Sequence, residues 1–245
     1  MDGEPQYRAL LAVDIAGSAG RGDVALGRIR AALSGALRAS LAHSGVDWDA
    51  CLRQDLGDGL RVVAPAGTPK ASLVHPLIHE LAVRLRAHNR LAAEPAQVRV
   101  RLALHAGDVH LGPDGTAVGR PLEVLARLLD AEPARAALAG DRRETVAALL
   151  SQHFHEETVC QGRPGIDPAS FHQVAVRHKE FTAPGWLHLP GGAPEAAGPA
   201  PGADAAARIP DTVRTPDTAR MISKASGHGV IYAVQNGTLH IGRTT

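Results

Sequence analysis

The sequence predicts an α+β sandwich built on a ferredoxin-like βαββαβ order, followed by a linker and a β-prone tail. Three observations carry this. Over the first 130 residues, short apolar runs alternate with segments whose apolar residues recur every three to four positions. Their order, β-α-β-β-α-β-α, is that of a split βαβ layer. At Pro190 the composition turns abruptly to Ala, Gly and Pro. The 245 residues allow one large domain with an appendage, enough to bury a core without disulfide or metal staples.

Residues 7–16, YRALLAVDIA, form a short apolar run with Asp14 near its end and suit a buried strand. Residues 23–44 place Val24, Ile29, Leu33, Leu37 and Leu41 close to a 3.6-residue period, and Gly45 ends the helix this predicts. Next, DWDACLRQDLGDGLRVVAP reads as strand, tight turn at Gly57-Asp58-Gly59, and strand, a hairpin. A second amphipathic helix is expected over residues 70–90, with Leu73, Leu77, Leu81 and Leu85 every four residues. Residues 97–106 alternate, with Val98, Val100, Leu102 and Leu104 against Arg99, Arg101, Ala103 and His105, which predicts a half-buried strand. A helix follows over 119–130, with Leu122, Leu125, Leu128 and Leu129 on one side. Residues 145–160 read as a short strand and helix, and residues 170–176 and 185–189 as two closing strands. Residues 1–190 are thus the expected domain, 191–220 an Ala/Gly/Pro-rich linker that cannot bury a core, and 221–245 a hairpin-forming tail.

Composition excludes several function classes. Lys and Arg number 26 against 25 Asp and Glu, a formal net charge of +1, and no basic block interrupts that balance. Broad electrostatic binding to nucleic acid is therefore not expected. Three Phe, two Trp and two Tyr leave too few rings for a single-strand stacking platform. Two distant cysteines, Cys51 and Cys160, make no disulfide framework and suit a reducing, cytoplasmic setting. The acidic N-terminus lacks the basic and long apolar regions of a signal peptide, and no window is long and apolar enough to span a membrane.

Chemistry concentrates in three segments. LAVDIAGSAG carries Asp14 at a strand end followed by small residues. LGDGL places Asp58 at a hairpin tip. RLALHAGDVHLGPDGTAVGRPLEVLARLLDA joins a strand, a Gly-rich loop and a helix with Arg127. Two carboxylates at strand ends suit a hard cation, and small neighbours let a triphosphate approach the backbone. The N–H groups around Ile15, Ala16, Gly17 and Ser18 could cradle phosphates. Taken singly, Asp14 also reads as a strand-end cap and Asp58 as an ordinary Asp-Gly turn residue.

In order and spacing, these segments resemble the class III nucleotidyl (adenylyl/guanylyl) cyclase homology domain over residues 7–190. The resemblance implies that Asp14 and Asp58 bind two Mg²⁺ or Mn²⁺ ions and that Arg127 stabilises the transferring phosphate. A nucleoside triphosphate would be cyclised to a 3′,5′-cyclic nucleotide at a homodimer interface, with the carboxylates on one subunit and the Arg on the other. Three positions depart from the pattern. Glu123 stands where the family has a ribose-orienting Asn, four residues before Arg127. Gln54 stands where the family has a base-selecting Lys, and the second base-selecting position falls near Thr116. Lys179 lies where phosphate-binding lysines occur in the family, although a solvated edge Lys fits it as well. Two functions follow from this pattern. One is a metal-dependent cyclase. The other is a catalytically degenerate nucleotide-sensing module that recruits a partner through its tail.

The tail GVIYAVQNGTLHIG has high β propensity and, before Arg243, no charged residue. Val230, Tyr232 and Val234 alternate, Gln235 leads into the Asn236-Gly237 turn signal, and Leu239 and Ile241 alternate after it. It resembles the short amyloid signalling motifs of bacterial and fungal immune-type systems, related in style to the RHIM motif. That implies a partner protein with a matching motif; a hairpin docked on the domain's own sheet edge is the alternative. His75 and His79, at i and i+4, share no third ligand and read as ordinary surface or partly buried histidines.

Overall fold

The computed structural model describes residues 4–191, apart from 114, 142, 179 and 180. Its first half is β1 (Gln6–Ile15), α1 (Asp23–His43), β2 (Leu52–Asp55), β3 (Gly59–Val63), α2 (Leu77–Leu91) and β4 (Val100–Leu111). These four strands lie in the order β2-β3-β1-β4, all antiparallel, which is the expected ferredoxin-like layer. The chain continues through β5 (Ala117–Val118), α3 (Arg120–Leu129), α4 (Glu132–Gly140), β6 (Val146–Ser151), α5 (Gln152–Thr158), β7 (Phe171–His178) and β8 (Phe181–His188). Beyond β4 the sheet extends as β6-β8-β7, with β6 parallel to β4 and β5 paired to β4 off the main path.

Alternation along the strands divides the core into two layers. On β1, Ala9, Leu11, Val13 and Ile15 face one layer, shared with Ile29, Leu33, Leu37 and Leu41 of α1 and Leu77, Leu81 and Leu85 of α2. Leu10 and Ala12 face the other, shared with Leu122, Leu125 and Leu128 of α3 and Leu138 of α4. Asp14 falls in the second set by parity, so it projects to the α3 side. α1 ends where Gly45 takes φ +74°, a left-handed conformation that glycine reaches without strain.

Three expectations are revised. The helix over 70–90 divides into a 3₁₀ turn, Lys70–Leu73, and α2, because Pro76 cannot continue a helix entered from before it. The strand expected at 97–106 runs instead from Val100 to Leu111 and is covered on both faces, since α3 and α4 pack on the side that carries Arg101 and, just before the strand, Arg99. Arg99 survives there by donating to three carbonyls, those of Leu138, Asp141 and Glu144. α4 was absent from the sequence expectation because EPARAALAG is largely Ala with little apolar contrast. Among the described residues no helix is long and apolar enough to cross a membrane. The linker beyond Gly191, the tail residues named above and Lys179 lie outside the described residues.

Candidate functional site

Asp14 is the last residue but one of β1, and its ladder neighbours are Gly59 on β3 and Arg101 on β4. The β2–β3 turn is held locally. The Gly57 N–H donates to Asp55 Oδ1 at 2.8 Å, and the Leu56 N–H to the Gly59 carbonyl at 3.0 Å. Gly59 lies so close to β1 that a Cβ there would stand 2.2 Å from the Val13 carbonyl oxygen. This approach, with the Ile15 N–H donating to the Asp58 carbonyl at 3.1 Å, draws the hairpin tip over the end of β1. The Asp14 and Asp58 carboxyls are thereby brought close enough to perturb each other's protonation. Ser18 donates its hydroxyl to Asp58 Oδ2 at 2.7 Å.

The electrostatics of the pair are asymmetric. Burial pushes the Asp14 carboxyl up to about 6. The neighbouring Asp58 acts in the same direction, and Arg101 pulls against both. Asp58 is held below the usual carboxylate range. Burial raises it, but the Ser18 hydroxyl, Asp14, its own backbone amide and Arg101 together outweigh that. Two adjacent carboxyls whose affinities for a proton are driven apart take up their first proton at Asp14, as the pH falls through about 6.

Arg101 is the group that the sequence reading missed. Its guanidinium donates to Asp14 Oδ2, and its Nη1 stands 4.0 Å from Asp130 Oδ1. The Arg101 and Asp14 side chains keep only 14% and 10% of their exposure. A cleft of about 290 Å³ opens beside them, edged by Asp14, Asp58, Arg61, Arg101 and Asp130. Asp58 also borders a second cleft of about 290 Å³, against Arg30, Ser34 and Leu37 of α1.

The remaining expected residues are placed unevenly. The amides of Ile15 and Ala16 are committed to the Asp58 and Arg99 carbonyls, at 3.1 and 2.8 Å, so they close the sheet. This narrows the expected phosphate cradle to Gly17 and Ser18. Arg21 ties the same loop down through the carbonyls of Ala16, Gly17 and Gln97. Gln54 accepts from Arg61 on the neighbouring strand. Thr116 sits in the β4–β5 turn, its carbonyl accepting from the Gly112 N–H at 2.8 Å. The side of α3 that lines the cleft is Leu125, Ala126, Leu129 and Asp130. Arg127 instead packs its guanidinium 5.1 Å from the Phe181 ring and 3.7 Å from Glu123. Within one chain, Glu123 and Arg127 are therefore not brought to the carboxyl pair.

Two divalent ions do not fit the pair as it is arranged. A hard cation needs several free oxygens at about 2.0–2.6 Å. Here Asp14 Oδ2 holds a guanidinium and Asp58 Oδ2 a hydroxyl. Among the described residues, no cluster of three or more His, Cys, Asp or Glu side chains is arranged to hold a metal ion.

No family model matches the chain, and no curated protein matches it. Solved structures do resemble it. The adenylate/guanylate cyclase/hydrolase from Silicibacter pomeroyi superposes with a TM-score of 0.55 at 18% identity, covering 78% of this chain and 100% of that one. The monomeric guanylyl cyclase domain of the RhoGC fusion protein from the aquatic fungus Blastocladiella emersonii, in a double-mutant form, gives a TM-score of 0.51 at 13% identity, covering 76% and 98%. The catalytic core of a rhodopsin-guanylyl cyclase with converted specificity, in complex with ATPalphaS, gives 0.50 at 13% identity, covering 76% and 96%. These likenesses show the fold. The chain has an α+β fold like that of adenylate/guanylate cyclase domains, as the resemblance in its sequence implied.

Proposed function

We propose that this chain is a nucleotide-sensing signalling module on a cyclase-type fold. It takes a nucleoside triphosphate beside Asp14 and Asp58 without cyclising it, and passes its state on through residues 191–245. The single observation that supports a nucleotide edge is the adjacent Asp14–Asp58 carboxyl pair at the mouth of a cleft in this fold. Loss of turnover is supported by two pairings. Arg101 occupies Asp14, and Arg127 is engaged by Glu123, a carboxylate where a neutral amide would serve a triphosphate better. The proposal includes a homodimer, a cytoplasmic setting, and a partner protein recruited by the motif around Gln235, Asn236 and Gly237.

The full chain titrated with fluorescent ATP, GTP, CTP and UTP analogues tests this, with products followed by mass spectrometry. At least one nucleotide is expected to bind and to be recovered intact, with its affinity falling about tenfold in Arg61→Gln, which removes a cation from the edge of the cleft. Failure of all four to bind would sink the reading.

A second reading, a metal-dependent homodimeric cyclase, is favoured by one observation. Arg127 is turned away from its own chain's cleft, as a residue serving a partner's site would be. A cyclic product that disappears in Asp14→Ala would establish it.

A further inference from the structure

We infer that Arg101 is a resident cation that closes the Asp14–Asp58 pair to divalent ions, so that an ion enters only when Arg101 leaves Asp14. The inference rests on the carboxyl pair being the nucleotide edge proposed above, and concerns how that edge is regulated.

The position of Arg101 is built into the sheet. β4 pairs with β1 so that Asp14 and Arg101 are direct ladder partners, with their side chains on the face covered by α3. In such a pair the Cβ atoms stand about 5 Å apart, within reach of a long side chain. The guanidinium cannot shed its charge by losing a proton. An ion on Asp14 would therefore meet a second cation on the same carboxylate, in a site largely screened from water where repulsion is strong. The ion must displace Arg101 to bind.

A second berth stands beside the first. Arg101 Nη1 is buried, has no hydrogen-bond partner among the described residues, and lies 4.0 Å from Asp130 Oδ1. Asp130 caps the C-terminal end of α3, and its side chain is 52% exposed, free to adjust. Arg101 thus has one firm partner and one waiting, and a shift toward Asp130 uncovers Asp14 without leaving the guanidinium unpaired. Ser18, already on Asp58, would remain beside the uncovered pair.

The test is Mn²⁺ binding to the full-length chain without nucleotide, read from the electron paramagnetic resonance signal of free Mn²⁺. Arg101→Gln is expected to bind Mn²⁺ at least about tenfold more tightly than the natural sequence, and the gain is expected to vanish in Arg101→Gln with Asp14→Asn. Arg101→Met, which keeps the apolar stem, is expected to show the same gain and serves if the Gln variant fails to fold. Three results would each overturn the inference. These are Mn²⁺ binding by the natural sequence as tight as by the variants, a gain that persists without Asp14, or Mn²⁺ binding by the natural sequence below about 0.1 mM that Asp14→Asn abolishes. Because no nucleotide is present, failure of the nucleotide-sensing reading leaves these outcomes unchanged.

Discussion

Replacing Gly59 by Ala tests whether the close approach of β3 to β1 is what sets the carboxyl pair. The added Cβ would stand 2.2 Å from the Val13 carbonyl oxygen, 3.0 Å from Asp14 Cα and 3.1 Å from the Val13 carbonyl carbon. An ordinary C···O contact is about 3.3 Å, so the strands must part by roughly 1 Å. All three neighbours are backbone of β1, and no side chain can swing aside. Overpacking of this kind costs about 1–3 kcal/mol, and weakening the bond from the Ile15 N–H to the Asp58 carbonyl adds about 1 kcal/mol. At roughly 2–4 °C per kcal/mol for a chain of this size, the melting temperature should fall by about 4–16 °C. Thermal unfolding followed by circular dichroism measures this. Gly57→Ala is the control, two residues away. Its φ of +92° disfavours a side chain, but a Cβ there meets nothing within 4 Å, so its cost is expected to be smaller, about 1 kcal/mol. A Gly59→Ala protein melting within about 2 °C of the natural one, or no lower than Gly57→Ala, would show that the hairpin is not pinned by backbone contact.

Other outcomes follow from particular environments. Burial, helped by the charge of His153 and opposed by Glu157, lowers the His105 ring to about 4. The unfolded chain takes up that proton near 6.5, so His105 contributes full stability above that value and loses it as the pH falls toward 4. The loss is at most about 3 kcal/mol. His105→Gln should show a correspondingly flatter decline between pH 7 and 4.5 in urea unfolding. The difference from the natural sequence is the readout, since Asp14, raised to about 6, acts in the opposite sense over part of that range. Phe154 is fully buried between α5 and the sheet, and Phe154→Ala should cost about 3–5 kcal/mol by denaturant unfolding. Lys70 and Tyr7 both donate to Glu157, but the groups are partly solvated, so Lys70→Ala should cost less than about 1 kcal/mol and lose most of that effect in 1 M salt.

Much of this architecture was legible from the chain. The spacing of Ile29, Leu33, Leu37 and Leu41 located α1, that of Leu122, Leu125, Leu128 and Leu129 located α3, and Gly57-Asp58-Gly59 located the turn that carries Asp58. These signals are local: a 3.6-residue stripe or a turn dipeptide reports its own geometry whatever it packs against. α4 lacked such a stripe, whereas Pro76, legible in the sequence, already signals where the helix within 70–90 begins.

Arg101 shows where local reading stops. Alternation assigned it to one face of its strand, and assigned Asp14 to one face of another. Whether the two meet depends on the register between β1 and β4, strands that lie 87 positions apart at these residues. The commitment of Ile15 and Ala16 to the Asp58 and Arg99 carbonyls has the same origin. The sequence by itself determined the order of elements, the apolar faces and the identity of two candidate carboxylates. Only the tertiary structure decided that one of them already holds a buried guanidinium, and that Arg127 packs on Phe181 away from both. The physical reason is range. Propensity and periodicity act over a few residues, whereas charge pairing is set by strand register, which the packing of the whole sheet fixes.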